Sequence, residues 1–143
     1  MIRAIIDGIV NALIEAFPDV RKIYTEQVKQ GLEEPCFIVR CLNPSSEQLV
    51  GNRYRLMNLF TVQYLPKSVT DANDEIYGVL DVLYQALEYI TVDGALVRGT
   101  GMRGDFSNNE LTFFVNFNMM VKTIVEVEPM EDLTIKPIRV TGW

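Results

Sequence analysis

Between Cys36 and Leu65 the chain reads as two β-strands joined by a polar loop. From Tyr54 the even positions are Tyr54, Leu56, Asn58, Phe60, Val62 and Tyr64, an almost unbroken apolar face. The odd positions Arg53, Arg55, Thr61 and Gln63 are polar, with Met57 and Leu59 interrupting them. A period of two marks a sheet with one face on a core and the other turned outward. The same alternation returns at Leu111, Phe113, Val115, Phe117, Met119 and Val121, set against Glu110, Thr112, Asn116, Asn118 and Lys122. Ser107, Asn108 and Asn109 supply a turn before it, so residues 96–122 read as a hairpin-rich stretch.

Two segments carry the helical period instead. Ile2, Ile5, Ile6, Ile9, Leu13 and Phe17 form one stripe that stops before Pro18. A second helix opens after Thr70 or Asp71, with Asp74 and Glu75 complementing the positive end of its dipole. Its predicted buried stripe is Ile76, Val79, Leu80, Leu83, Leu87 and Ile90, which leaves Asp81, Gln85 and Glu88 in water and Tyr77, Tyr84 and Tyr89 at the core edge. A short extended piece, Lys22 to Thr25, lies between the first helix and the first strand pair. The order helix, strand pair, helix, strand pair predicts an α+β domain over residues 1–125, a mixed or antiparallel sheet with both amphipathic helices on one face. Beyond it the pattern is lost. Residues 126–143 read as an acidic linker (Glu126, Glu128, Glu131, Asp132) and an apolar C-terminal arm with Ile135, Ile138, Val140 and Trp143.

Composition agrees with a single domain. At 143 residues, 48% hydrophobic and 22% charged, the chain is large enough to bury about two thirds of its unfolded surface. A formal charge of -6 argues against general affinity for nucleic acid backbones, which clustered Lys and Arg normally supply. Asp7 and Glu15 interrupt the apolar N-terminus, so it is neither a signal-peptide core nor a membrane span. Cys36 and Cys41 fall on one strand about 16 Å apart and on opposite faces, a spacing that forbids a disulfide within the strand and suits a reducing cytoplasm.

Candidate chemistry is sparse. Without any histidine a Ser-His or Cys-His mechanism is excluded, as is the favoured nitrogen ligand for transition metals. The carboxylate pairs Glu33 with Glu34 and Glu126 with Glu128 sit in segments that read as solvated. Gly99, Gly101 and Gly104 have the spacing of a dinucleotide loop, yet a strand follows where a helix is required, so they read as a bulge or tight hairpin. Arg103, Gly104 and Asp105 spell an adhesion tripeptide with no secretion signal to go with it. No catalytic residue, cofactor or metal ligand is predicted. Arg53, Arg55, Arg98 and Arg103, near strand ends in neighbouring sections, are candidates for a subunit interface, where Arg is enriched. So are Ile135, Ile138 and Trp143 of the arm, which cannot build a core of their own.

The strings PCFIVRCL, RYRLMNLFTVQYLPKS, LYQALEYI, RGTGMR and LTFFVNFNM, in this order of elements, resemble small tail proteins of bacteriophages and prophages of Gram-positive bacteria, a family similar to tail terminators. The resemblance covers about residues 1–125. It implies a structural virion protein and no enzyme: a homo-oligomeric ring, usually a hexamer, that caps the tail tube, stops tail growth and offers a joining surface to the head-side neck. The implied partners are further copies of the chain, the tail tube protein, a neck or head-completion protein, and the sheath protein where the tail contracts. No membrane and no specific nucleic acid belongs to that set, although DNA would pass through the ring. The implied location is the virion tail, after synthesis in the host cytoplasm. Two other readings compete: another head-tail joining protein, which contacts the neck instead of the tube, and a small carboxylate-based enzyme or ligand-binding domain, which an ordered metal or deep polar pocket would favour.

Overall fold

A computed structural model describes residues 2–25, 31–67, 70–127 and 133–142, with side chains as far as Lys122. Among these residues the elements are α1 (Ile2–Ala16), β1 (Lys22–Tyr24), β2 (Cys36–Gln48), β3 (Arg53–Leu65), α2 (Ala72–Ala86), β4 (Tyr89–Val92), β5 (Ala95–Ser107), β6 (Glu110–Phe117), β7 (Met119–Val127) and β8 (Leu133–Gly142). The fold is α+β. One curled sheet runs in the order β1-β2-β3-β6-β5-β4, with β7 on β3 and β8 on β7. It is mixed, because β1 pairs with β2 in parallel while the other pairings are antiparallel.

The apolar periods account for the core. Ile5, Ile9 and Leu13 of α1 and Ile76, Val79 and Leu83 of α2 pack with Phe37 and Val39 of β2, Phe60, Val62 and Tyr64 of β3, and Leu111, Phe113, Val115 and Phe117 of β6. Burial along β6 alternates without a miss. Pro18 cannot donate to a continuing helix, and α1 closes with the Phe17 N–H donating to the Leu13 carbonyl at 2.8 Å. Cys36, Ile38 and Leu65 form a second, smaller cluster with Tyr24 and Leu32, so the two cysteines do point to opposite faces of β2.

The second helix is shorter than its stripe predicts. Leu87 is its C-cap, and Tyr89 and Ile90 belong to β4. The reason is local. Leu87 and Ile90 fit the helical period, but Ile90, Thr91 and Val92 are a β-branched run that prefers extended backbone. Asp93 and Gly94 follow with φ of 49° and 81°, the two positive values a two-residue hairpin turn demands. The Gly99 N–H then captures the Glu88 carbonyl at 2.8 Å, and the chain turns into the β4-β5 hairpin. Asn108 and Asn109, with φ of 53° and 61°, make the same kind of turn between β5 and β6.

Strand β3 has one continuous partner that bears two labels. Leu59 opposes Asn116 on β6 and Leu56 opposes Met119 on β7, the same register on either side of a break at Asn118. Asn58 explains the break. It is 3% exposed, donates from Nδ2 to the Phe117 carbonyl at 3.2 Å, and its N–H donates to Asn118 Oδ1 at 3.3 Å. Side-chain amides thus stand in where the backbone ladder fails, as burial of polar groups requires. Beyond this point the sheet continues as β2-β3-β7-β8, and Asn43 to Gln48 and Gly51 to Arg53 are exposed.

Candidate assembly surface

Reactive chemistry is scarce on this scaffold. Glu33 and Glu34 are exposed, while the side chain of Glu126 and all of Glu128 lie outside the described residues. Among the described residues no group of three or more His, Cys, Asp or Glu is placed to hold a metal. Burial pushes the Cys36 thiol up, and the nearby charges of Glu34 and Glu110 push it further; burial alone raises Cys41. Both therefore stay thiols at neutral pH, the unreactive form. Gly99, Gly101 and Gly104 lie on β5, not before a helix. Gly101 has φ +61° at a bulge between Thr100 and Arg103, and a Cβ on Gly99 would overlap the Leu87 carbonyl oxygen.

What the fold does build is a two-sided surface. Cross-strand partners share a face, and the outward face of the sheet can be read off the register. Arg40 opposes Thr61, Thr61 opposes Phe114, and Phe114 opposes Arg103, one row across β2, β3, β6 and β5. Arg103 lies 4.2 Å from the Phe114 ring centroid, a cation-π contact. Arg40 Nε and Thr61 Oγ1 are buried with no hydrogen-bond partner among the described residues. Farther out, Arg55 pairs with Glu47 at 3.8 Å and Arg53 opposes Lys122. Leu42, Leu59, Met57, Phe114 and Met120 supply apolar area between these cations. On this face Arg40, Arg53, Arg55, Arg103 and Lys122 stand with three carboxylates, Glu47, Asp105 and Glu110.

The helix side has the opposite sign. Helix α2 carries acidic residues and no Lys or Arg. Asp74 and Asp81 are exposed, and Tyr77 and Tyr84 beside them are 51% and 41% exposed. Glu75 is engaged, accepting from the Tyr64 hydroxyl and the Lys67 N–H, both at 2.7 Å. Tyr77 and Tyr84 pack edge-on against Phe106 and Phe113.

The sequence-predicted interface residues are distributed unevenly over this body. Arg53, Arg55 and Arg103 share the outward sheet face, although Arg103 is two strands and several rows away from the other two. Arg98 sits where β5 has left β6 for β4, in a cleft of about 390 Å³ shared with Tyr84, Glu88 and Met102. Ile135 lies opposite Val125 on the β7-β8 ladder, Ile138 falls at its register shift, and Trp143 lies outside the described residues. Arg40, Lys122 and the α2 carboxylates escaped sequence reasoning. Their signal was parity: Arg40 falls on the outward positions of β2 once the β3 register is known. A groove of about 440 Å³ separates the start of α1 from the bulged β2-β3 hairpin, lined by Ile2, Arg3, Pro44, Ser45, Leu56 and Asn58. Among the described residues no helix is long and apolar enough to cross a membrane.

Comparison with known proteins adds three findings. No curated protein matches the chain. A solved structure is 14% identical to it over 82% of this chain and 93% of the other, with a TM-score of 0.45. A family model described as phage tail terminator protein matches residues 4–129, which takes in both helices and every strand through β7. An α+β body with a charged, partly apolar outer face is in keeping with that match, and the chain belongs to the phage tail terminator protein family, a family of structural proteins of the phage tail.

Proposed function

We propose that the protein terminates the tail of its phage by closing into a ring, a hexamer, on the last ring of tail tube subunits. The ring stops tube growth and presents a surface to a neck or head-completion protein; where the tail is contractile it also meets the sheath. DNA passes through its centre without sequence recognition. The protein is made in the host cytoplasm and ends in the virion tail. Its contribution is contact, not turnover.

The observation that carries this reading is the family match over residues 4–129. Two physical features support it. Open strand edges need covering, and among the described residues the edge of β2 away from β3 beyond Ile38, the edge of β5 away from β6 beyond Arg98 and the outer edge of β8 have no strand partner. Identical subunits that meet through unlike surfaces close into a ring when the rotation permits. Arg53, Arg55, Arg98 and Arg103 are assigned to subunit and tube contacts. Residues 126–143 act as an arm whose Ile135, Ile138 and Trp143 reach a neighbouring subunit, by strand addition at the outer edge of β8. Pro137 leaves that addition one short run of bonds.

Light scattering over a concentration series, with and without purified tube protein, tests the proposal. Growth of the mass toward a closed ring, in free solution or on tube ends, is expected. A protein that stays monomeric and ignores tube ends would overturn it.

A further inference from the structure

The two sides of this subunit are complementary to each other. On α2, Asp74 and Asp81 are seven residues apart, close to two helical turns, so they project from one side about 10 Å apart with Tyr77 between them. Both are exposed and neither has an ion pair among the described residues. On the outward sheet face, Arg40 and Arg103 end a row that spans three strand spacings, about 14 Å, and Phe114 lies between them. The cation-π contact draws the Arg103 guanidinium over Phe114, toward the middle of the row, which brings the two spacings closer. Arg40 and Arg103 also lack a carboxylate among the described residues.

We propose that α2 of one subunit lies across the strands of its neighbour, with Asp74 and Asp81 on the Arg40 and Arg103 row and Tyr77 on Phe114. The occupant of each sheet face is a second copy of this chain. This rests on the ring reading and gives it a specific interface. Charge complementarity sets its polarity: an acidic helix on the Arg40 and Arg103 row is a head-to-tail contact, the heterologous kind that rings require. Aromatic and Arg side chains at its centre are those that dominate interface energetics, and the carboxylates would reach the guanidiniums as charge-assisted hydrogen bonds. Leu42, Leu59 and Met57 extend the apolar area beside the row.

Two variants of the full chain test the inference under the conditions in which the wild type assembles. Asp74→Arg with Asp81→Arg reverses the helix, and Arg40→Glu with Arg103→Glu reverses the sheet. Each alone should raise the concentration needed for assembly at least tenfold. Their equal mixture, in which reversed helix meets reversed sheet, should assemble near the wild-type concentration. Circular dichroism melting checks that each variant folds; if the half-buried Arg40→Glu prevents folding, the exposed pair Asp81→Arg and Arg103→Glu is tested in the same way. Assembly of either variant at the wild-type concentration, or a mixture no better than its components, would overturn the interface and leave the ring reading standing. A wild type that forms no ring with or without tube protein would overturn both. Should the sheet variant lose only binding to a DNA duplex while assembling normally, the face serves nucleic acid and the proposed contact is wrong.

Discussion

At single residues, close backbone approaches and one buried tyrosine do the most to fix the structure. A Cβ on Gly8 would sit 2.7 Å from the Thr91 carbonyl oxygen, and one on Gly99 would overlap the Leu87 oxygen and meet Val115 at 2.9 Å. Gly78 on α2 has nothing within 4 Å of that position. Gly99→Ala should therefore cost about 2 kcal/mol by overpacking, lowering Tm by about 6 °C, whereas Gly78→Ala should gain up to about 1 kcal/mol from helix propensity. Thermal melts of the two variants check both signs. Tyr64 is held well above the usual tyrosine range by burial, then by its hydrogen bond to Glu75 and that carboxylate's charge. A group whose pKa is raised on folding contributes stability that is complete below its unfolded value and disappears as the pH climbs toward the folded one. Tyr64→Phe should thus cost about 1 kcal/mol near neutrality, and the difference from wild type should shrink above about pH 10. A difference that stays constant through the alkaline range would assign the loss to packing. Much at this scale was legible from the sequence: the alternation of Leu111 to Val121, and a bulge among the glycines of β5, which falls at Gly101 while Gly99 and Gly104 pair regularly. Gly8 was not, since nothing local says which strand passes a helical glycine.

Among elements, the strong periods and the turn chemistry carried the reading, and the misplacement occurred where two periods overlap. Leu87 and Ile90 extend the α2 stripe in register, but the Asp93-Gly94 turn and the Ile90 to Val92 run favour a hairpin, and the chain follows the turn. The pairing of β3 with both β6 and β7 could not be anticipated, because Asn58 reads as one more inward position until its amide is seen replacing ladder bonds at Asn118. The C-terminal strand is a different case. Backbone pairing places β8 on β7, whereas the main core is built from α1, α2 and strands β2 to β7. Deleting residues 133–143 should shift the monomer Tm by only a few degrees and abolish assembly on tube ends, if the arm serves a neighbour. A sharp fall in monomer stability with ring formation unchanged would assign the arm to its own domain. Calorimetry and light scattering on the same truncated protein separate these outcomes.

For the whole molecule, the proposed role is contact, and a chain without histidine offers no Ser-His or Cys-His pair. Screens for phosphatase, esterase and nuclease turnover, with and without divalent metal, should return nothing above buffer; activity abolished by one carboxylate substitution would contradict the structural reading. The fold class was legible because it follows from periods of 2 and 3.6. The outward face was legible only in part: alternation marks Arg53 and Arg55 as outward positions, while the pairing of Arg40 with Thr61 and of Phe114 with Arg103 emerges only from the register. The proposed role is contact at the end of a tube. Electron microscopy of the purified protein added to growing tubes of its own tail tube protein examines this at the scale where it matters. Ring-shaped density on one end of each tube and arrested elongation are predicted. Tubes that keep growing with bare ends, at protein concentrations in excess over tube ends, would contradict a terminator role.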